Sequence, residues 1–383
     1  MAASGSHREN RIVLTHLTGQ IVLPDRIMPG TISFDEVIRS IEPATGATDR
    51  YILPGFIDGH VHGGGGADTM DGPEAIRTLA RFHMQHGTTT ILPTTITRPW
   101  ADVMRALHDV AGIMENPGSD EPRIHGVHLE GPFVSPHKLG AQPPFTIAPT
   151  SDKLDDVLAA RCVRVVTLAP EIEHADEAID RLAAAGVRVS LGHTTADYET
   201  SVTALCRICT AGGVGGGTHL FNAMSPVEGR NPGPVTALMC HDASYAEMIF
   251  DTHHVHPANF RLASRVMRDR LVFVTDAMRG AGQPDGPSSL GGQDVVIKDG
   301  VVRLPNGSLA GSVLTLDQAL RNAVAHGASL PEASALVSSN PARYLGLHDR
   351  GTLDCGKLSD MVVMDAGLTV CEIWVGGRKT YEA

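Results

Sequence analysis

Apolar and polar positions follow two rhythms along this chain, and the rhythms take turns. Valine-, isoleucine- and threonine-rich runs that end in polar residues mark strands, and apolar residues three and four apart mark helices. The strand rhythm falls at Ile52–Asp58, Thr88–Pro93, Ile124–Leu129, Val163–Ala169, Val187–Leu191, Gly217–His219, Ala246–Phe250 and Leu271–Thr275. Between these runs, Pro73–His86 places Ile76, Leu79, Ala80 and His83 on one side, and Ala175–Ala185 runs into Gly186, a helix-ending residue. Eight alternating units of this kind predict an α/β chain built as a (β/α)8 TIM barrel over residues 53–344.

The ends read differently. Arg11–Thr15, Ser359–Met364 and Glu372–Val375 are short strand-like pieces between turn signals, so residues 1–52 and 345–383 are expected to form a small β-sandwich domain together. Ile297–Leu304, with Asp299-Gly300 at its centre, reads as a hairpin inserted after the eighth strand.

Composition narrows the function classes. Hydrophobic residues make up 42% of the 383 and charged residues 19%, which excludes a disordered polymer or a membrane bundle. A formal net charge of -12 without any basic run argues against nucleic acid as a partner. No run reaches the roughly 18 apolar residues of a membrane span, and the polar start Met1 to Asn10 lacks a signal-peptide core, so a cytoplasmic location is expected. The 6 cysteines are too scattered for a disulfide framework and are expected to be free, mostly buried thiols. Histidine stands out at 19 copies, several beside glycine or at the ends of β-branched runs, which points to metal chemistry.

His60-Val61-His62 closes the apolar run of the first strand, and alternate strand residues point to one side, so both imidazoles face one point. Gly63 to Gly66 then leave room for a ligand at the face where barrels keep their active sites. Glu130 ends the third strand after apolar residues, where an unpaired carboxylate would lose several kcal/mol and a cation offsets that loss. His193 and His219 end the fifth and sixth strands, and Asp276 ends the eighth. Nitrogen and oxygen ligands recurring at strand ends suit a catalytic divalent metal better than a closed structural site. Cys206-x-x-Cys209, by contrast, lies in the helical stretch Val202–Ala211 with no second pair, and is not read as a metal site. The glycine run Gly212 to Gly217 lacks the Lys-Ser or Lys-Thr of a phosphate loop and reads as a flexible helix-to-strand turn, and Met278 reads as packing.

Pro54-Gly55-Phe56-Ile57-Asp58-Gly59-His60-Val61-His62-Gly63, His128-Leu129-Glu130-Gly131-Pro132, Leu191-Gly192-His193, His219-Leu220-Phe221-Asn222-Ala223-Met224 and Val274-Thr275-Asp276-Ala277 follow one another in order over nearly the whole chain. Together they resemble the N-acetylglucosamine-6-phosphate deacetylases of the amidohydrolase superfamily. The resemblance implies that Glu130, His193 and His219 hold one metal, that His60 and His62 hold a second bridged by Glu130, and that Asp276 is the catalytic acid–base. One or two divalent ions per chain are implied, zinc first, with iron, manganese, cobalt or cadmium as the others. Ala141, Gln142, Asn222, Ala223, Arg230, His254 and the Leu309-Ala310-Gly311 turn are implied to contact substrate, His254 across the interface of a homodimer. In several relatives a histidine polarises the amide carbonyl at the position of Gln142. The implied activity is hydrolysis of N-acetylglucosamine 6-phosphate, a small molecule, in amino-sugar catabolism and cell-wall recycling. A cyclic amidase or deaminase of the same superfamily would share the metals and lack a phosphate requirement. A non-catalytic sugar-phosphate sensor is the third reading, and Asp276 argues against it, because a pure binder gains nothing from a buried acid–base.

Overall fold

The computed structural model describes residues 14–46 and 49–383. The strand expected at Arg11–Thr15 therefore lies partly outside the described residues, and the polar start Met1 to Asn10 lies wholly outside them. Eight short parallel strands carry the centre of the chain: Phe56–Val61, Thr88–Pro93, Val127–Glu130, Val163–Leu168, Arg188–Leu191, Gly215–Gly217, Ala246–Met248 and Leu271–Phe273. Neighbours in sequence pair in space, through parallel ladders or through the Thr94–His128 bridge. The Tyr245 N–H donates to the Gly215 carbonyl at 3.1 Å, joining the sixth strand to the seventh. The Asp276 N–H donates to the His60 carbonyl at 2.9 Å, so the eighth strand returns to the first. The described residues include ten α-helices, and the expected helices at Pro73 and Ala175 are present as Pro73–Met84 and Ala175–Ala184. Gly186 follows the second at φ +78°, a left-handed conformation suited to glycine just past a helix end.

Several strands differ from their sequence expectation for identifiable reasons. The run Ile52–Asp58 splits at Gly55 into Tyr51–Pro54, which belongs to the terminal sheet, and Phe56–Val61, which starts the barrel. A Cβ on Gly55 would stand 2.1 Å from Thr89 Oγ1, so only glycine passes there. The glycine run is a helix-to-strand turn only in its first half, residues 212–214, and Gly215–Gly217 is itself the buried sixth strand. Its missing side chains make room for neighbours, since a Cβ on Gly216 would meet Tyr344 Oη at 2.2 Å and one on Gly217 would meet Leu238 Cδ1 at 2.2 Å.

The two ends of the chain meet in one seven-stranded sheet, in the order Arg378–Glu382, Val370–Val375, Met361–Met364, Tyr51–Pro54, Thr15–Val22, Ile27–Phe34, Ile38–Pro43. All seven strands are hydrogen-bonded into a single sheet, where a sandwich calls for two facing ones. Strand alternation gives the sheet two apolar faces. Ile21, Ile52, Met361 and Val363 pack with Phe34 and Trp374 in the sheet's own core, whereas Val22, Leu53, Val362 and Met364 join the main core. Leu53 and Pro54 thus extend the terminal sheet past the expected boundary at residue 52. The hairpin reading at Asp299-Gly300 corresponds to the turn between Gln293–Lys298 and Val301–Arg303, part of a three-stranded flap that begins at Gly286–Leu290.

The cysteines are not mostly buried. Only Cys162 is; Cys206, Cys209, Cys240 and Cys355 are exposed. Cys206 and Cys209 lie off the inward stripe of helix Tyr198–Thr210, which consists of Ser201, Ala204, Leu205 and Ile208. Among the described residues no helix is long and apolar enough to cross a membrane.

Helix Leu316–Ala325 is docked by charge as well as by apolar packing. Asp317, 5% exposed, lies 3.3 Å from His86 Nδ1 and 3.0 Å from Arg321 Nη1. Burial alone would raise its carboxyl, but His86 and Arg321 bring it down to about 2. Its contribution is therefore present above the unfolded value of about 3.9 and is lost as pH falls through about 2. Replacing Asp317 by Asn should lower the unfolding free energy by about 1–2 kcal/mol near neutral pH. In denaturant titrations repeated at several pH values, the gap between the two proteins should narrow below pH 4.

Candidate active site

The barrel strands end at one face, and the chemistry-bearing side chains lie there. His60 is in the first strand and His62 just after it; Glu130 is the last residue of the third. His193, His219 and Asp276 follow the fifth, sixth and eighth strands by two or three residues. These last three have φ of +47°, +35° and +46°, a left-handed region that non-glycine residues seldom occupy and that concentrates at functional sites.

Glu130, 1% exposed, is the centre of the cluster. Its Oε1 lies 3.0 Å from His219 Nε2, 3.2 Å from His193 Nε2 and 3.6 Å from His60 Nε2. Its Oε2 lies 3.2 Å from His62 Nε2 and accepts a 2.5 Å hydrogen bond from Gln142 Nε2. Asp276 Oδ1 faces the first two histidines, at 3.1 Å from His62 Nε2 and 3.4 Å from His60 Nε2. Burial pushes the Glu130 carboxyl up, but His60 and His193 beside it, with hydrogen bonds from His193 and His219, hold it well below the carboxylate range. For Asp276 burial acts the same way, and His60 and His62 bring the group down to about 2. Both carboxylates are ionised.

The far side settles the tautomer of three of the four rings. His193 Nδ1–H donates to the Lys138 carbonyl at 3.0 Å and His219 Nδ1–H to the Asn222 carbonyl at 3.2 Å, because a carbonyl can only accept. His60 Nδ1 lies 2.9 Å from Glu247 Oε2. The inward Nε2 atoms of these three rings are therefore the ones that can serve as ligands. His193 and His219 bring theirs within 3.1 Å of each other, and His60 and His62 within 3.3 Å, against ionised carboxylates. Clustered ring nitrogens beside carboxylate oxygens repel one another unless protons or a metal ion sit among them. Glu130, His193 and His219 form one triad with donor atoms close enough to hold a metal, and His60, His62 and Asp276 form another. The donor set of nitrogen and carboxylate oxygen suits a divalent ion such as zinc.

Above this floor opens a cavity of about 180 Å³. Ala141, Gln142, Asn222, Ala223, His254, Leu309 and Gly311 line its walls, with Leu290 of the flap. His254 lines the cavity of its own chain, its Nδ1 bonded to Asp251 Oδ2 at 2.7 Å, so it reaches this cavity without a partner copy. Two of the expected substrate contacts are absent from the lining. Arg230 is exposed on the loop before helix Pro234–Cys240, and Ala310 is turned into the apolar cluster under the flap with Met278 and Leu290. Gln142 has its carbonyl committed to the Thr97 N–H at 2.7 Å and one amide hydrogen to Glu130.

Sequence reasoning missed Glu247, His128 and Asp251. Glu247 interrupts Tyr245-Ala246-Glu247-Met248-Ile249-Phe250, and a charge inside an apolar strand is the same signal that marked Glu130.

Residues 51–380 match the amidohydrolase family model. The chain belongs to the amidohydrolase family. Among known amidohydrolases, it is 39% identical to the N-acetylgalactosamine-6-phosphate deacetylase of Escherichia coli O157:H7, over 90% of this chain and 92% of that one. It is 38% identical to the N-acetylglucosamine-6-phosphate deacetylase of Vibrio furnissii, over 87% and 83% of the two chains. An Asp-to-Ala variant of the N-acetylglucosamine-6-phosphate deacetylase of Mycobacterium smegmatis, solved with N-acetylglucosamine 6-phosphate, superimposes with a TM-score of 0.89. It has 32% sequence identity and covers 96% of this chain and 99% of that one. This amidohydrolase accordingly has the TIM-barrel-plus-small-domain fold of those enzymes.

Ligand count yields a prediction. With excess zinc this amidohydrolase should hold two ions per chain, and His60→Gln with His62→Asn should reduce this to one while the Glu130 triad stays filled. Elemental analysis decides it: one ion in the unmodified protein, or two in the double variant, would be the contrary result.

Proposed function

We propose that this amidohydrolase hydrolyses the acetamide of N-acetyl-D-glucosamine 6-phosphate to D-glucosamine 6-phosphate and acetate, serving amino-sugar catabolism and cell-wall recycling. The observation that carries the reading is the Asp276 carboxylate at the cavity floor, 3.1 Å from His62 Nε2 and facing the Glu130 triad. The relatives' activities support the substrate class. A divalent ion held by Glu130, His193 and His219, with a second at His60, His62 and Asp276, would acidify water to a pKa of about 7 and polarise the amide carbonyl. Zinc is the metal we assign, and the working unit we propose is a cytoplasmic homodimer.

The chain's own groups do the proton work. Asp276 takes a proton from the attacking water as its oxygen bonds to the acetyl carbon, then delivers that proton to the nitrogen as the C–N bond breaks. An amine leaves poorly without protonation, so one carboxylate acts as base and then as acid. Gln142 keeps the Glu130 oxygen oriented, and His254, anchored by Asp251, offers its other nitrogen to the sugar phosphate. No lysine or arginine lines the cavity among the described residues, and a phosphate ester carries about -1.5 to -2 charges. We assign Arg230 to that charge.

The relatives differ in sugar epimer, galacto in one and gluco in another. Acetate release from both N-acetylhexosamine 6-phosphates and from unphosphorylated N-acetylglucosamine tests the proposal. Turnover of the gluco 6-phosphate should be the most efficient, and a preference for the galacto epimer would transfer the assignment to it. Asp276→Asn should lower kcat by at least about 100-fold while the zinc held by Glu130, His193 and His219 stays nearly unchanged. Arg230→Ala should raise KM for the phosphorylated sugar and leave the unphosphorylated one almost unaffected, because the lost contact is charge-assisted.

A further inference from the structure

Behind His60, on the side away from the cavity, stands a carboxylate that the reaction above leaves unused. Glu247 lies in the seventh barrel strand and is 2% exposed. Its Oε2 is 2.9 Å from His60 Nδ1 and its Oε1 is 3.6 Å from His128 Nδ1. Among the described residues no lysine or arginine pairs with it, so imidazoles are its only ionic partners. A buried carboxylate so partnered costs several kcal/mol that a leucine of similar size would not. Packing alone does not explain it.

His60, His128 and Glu247 are close enough to suggest a third metal position. The hydrogen bonds argue otherwise. His128 Nδ1–H donates to the Gly59 carbonyl at 3.0 Å, and its Nε2 lies 2.8 Å from Thr167 Oγ1, so both of its nitrogens are engaged. His60 presents Nε2 to Glu130 and Asp276, which leaves Nδ1 as a donor with Glu247 as its acceptor.

We infer that Glu247 is a positioning residue: by accepting the Nδ1 proton of His60 it fixes the tautomer whose Nε2 faces Glu130, His62 and Asp276, and its charge makes His60 the stronger ligand for the second cation. The inference rests on the two-ion reading of the site. Partners behind a metal-bound histidine typically govern metal affinity by 10–100-fold. The neighbouring triad of Glu130, His193 and His219 has its own backbone anchors and does not depend on Glu247.

Zinc binding tests this in Glu247→Gln, which keeps an acceptor and loses the charge, and in Glu247→Leu, which loses both. Purified proteins are loaded with zinc, analysed for metal and titrated against a chelator. The unmodified protein should release two ions in two steps. Glu247→Gln should weaken only the more weakly held ion, by about 10–100-fold, and Glu247→Leu should keep a single ion. If Glu247→Leu fails to fold, Glu247→Gln decides alone. A single ion in the unmodified protein overturns the two-ion reading and this inference with it. Two ions held equally tightly by the unmodified protein and Glu247→Gln overturn the inference alone, as does a parallel weakening of both ions, the mark of a merely structural role.

Discussion

One buried carboxylate organises this molecule. Glu130 is 1% exposed, and burial on its own would protonate it. Four imidazoles turn their Nε2 edges toward it, at 3.0–3.6 Å. Three of those rings are gripped from behind, by the carbonyls of Lys138 and Asn222 and by the carboxylate of Glu247. None of these three can swing away without abandoning a hydrogen bond in a low-dielectric interior, where that loss is largest. The site is thus held ready before any cation or substrate arrives.

The barrel supplies that readiness at a local cost. His193, His219 and Asp276 occupy left-handed backbone, a state worth about 1–3 kcal/mol of strain at each position. Hydrogen bonds close around each one: Ser135 N–H to the His193 carbonyl at 2.9 Å, Asn222 N–H to the His219 carbonyl at 2.9 Å, and Ser312 N–H to the Asp276 carbonyl at 2.8 Å. The first and third of these come from segments far apart in sequence, and the second closes its own turn.

The alternation of strands and helices was legible because most strands are β-branched and most helices show a single apolar stripe. The ligands were legible for the same reason, since each stands where an apolar run stops. What stayed hidden depends on contacts between distant residues. Gly215–Gly217 has no β propensity and is a strand only because Tyr344 and Leu238 fill the space its side chains would take. Gly55 divides a run that reads as continuous because Thr89 presses against it. Glu247 escaped because its partner His60 is 187 residues away, and the exposed position of Arg230 cannot be inferred from a loop sequence.

The sheet built from both ends has a consequence for synthesis. Tyr51–Pro54 is hydrogen-bonded on one side to Thr15–Val22 and on the other to Met361–Met364. As the chain leaves the ribosome, its early strands form an edge with apolar Ile52 and Leu53 and no partner until some 300 further residues have emerged. Such an edge is a template for pairing with another nascent chain. The barrel can begin to assemble first, but the terminal sheet closes only when the last segment docks. Elongation rate and chaperone cover during translation, more than the stability of the finished fold, would then govern how much of this protein is recovered in soluble form.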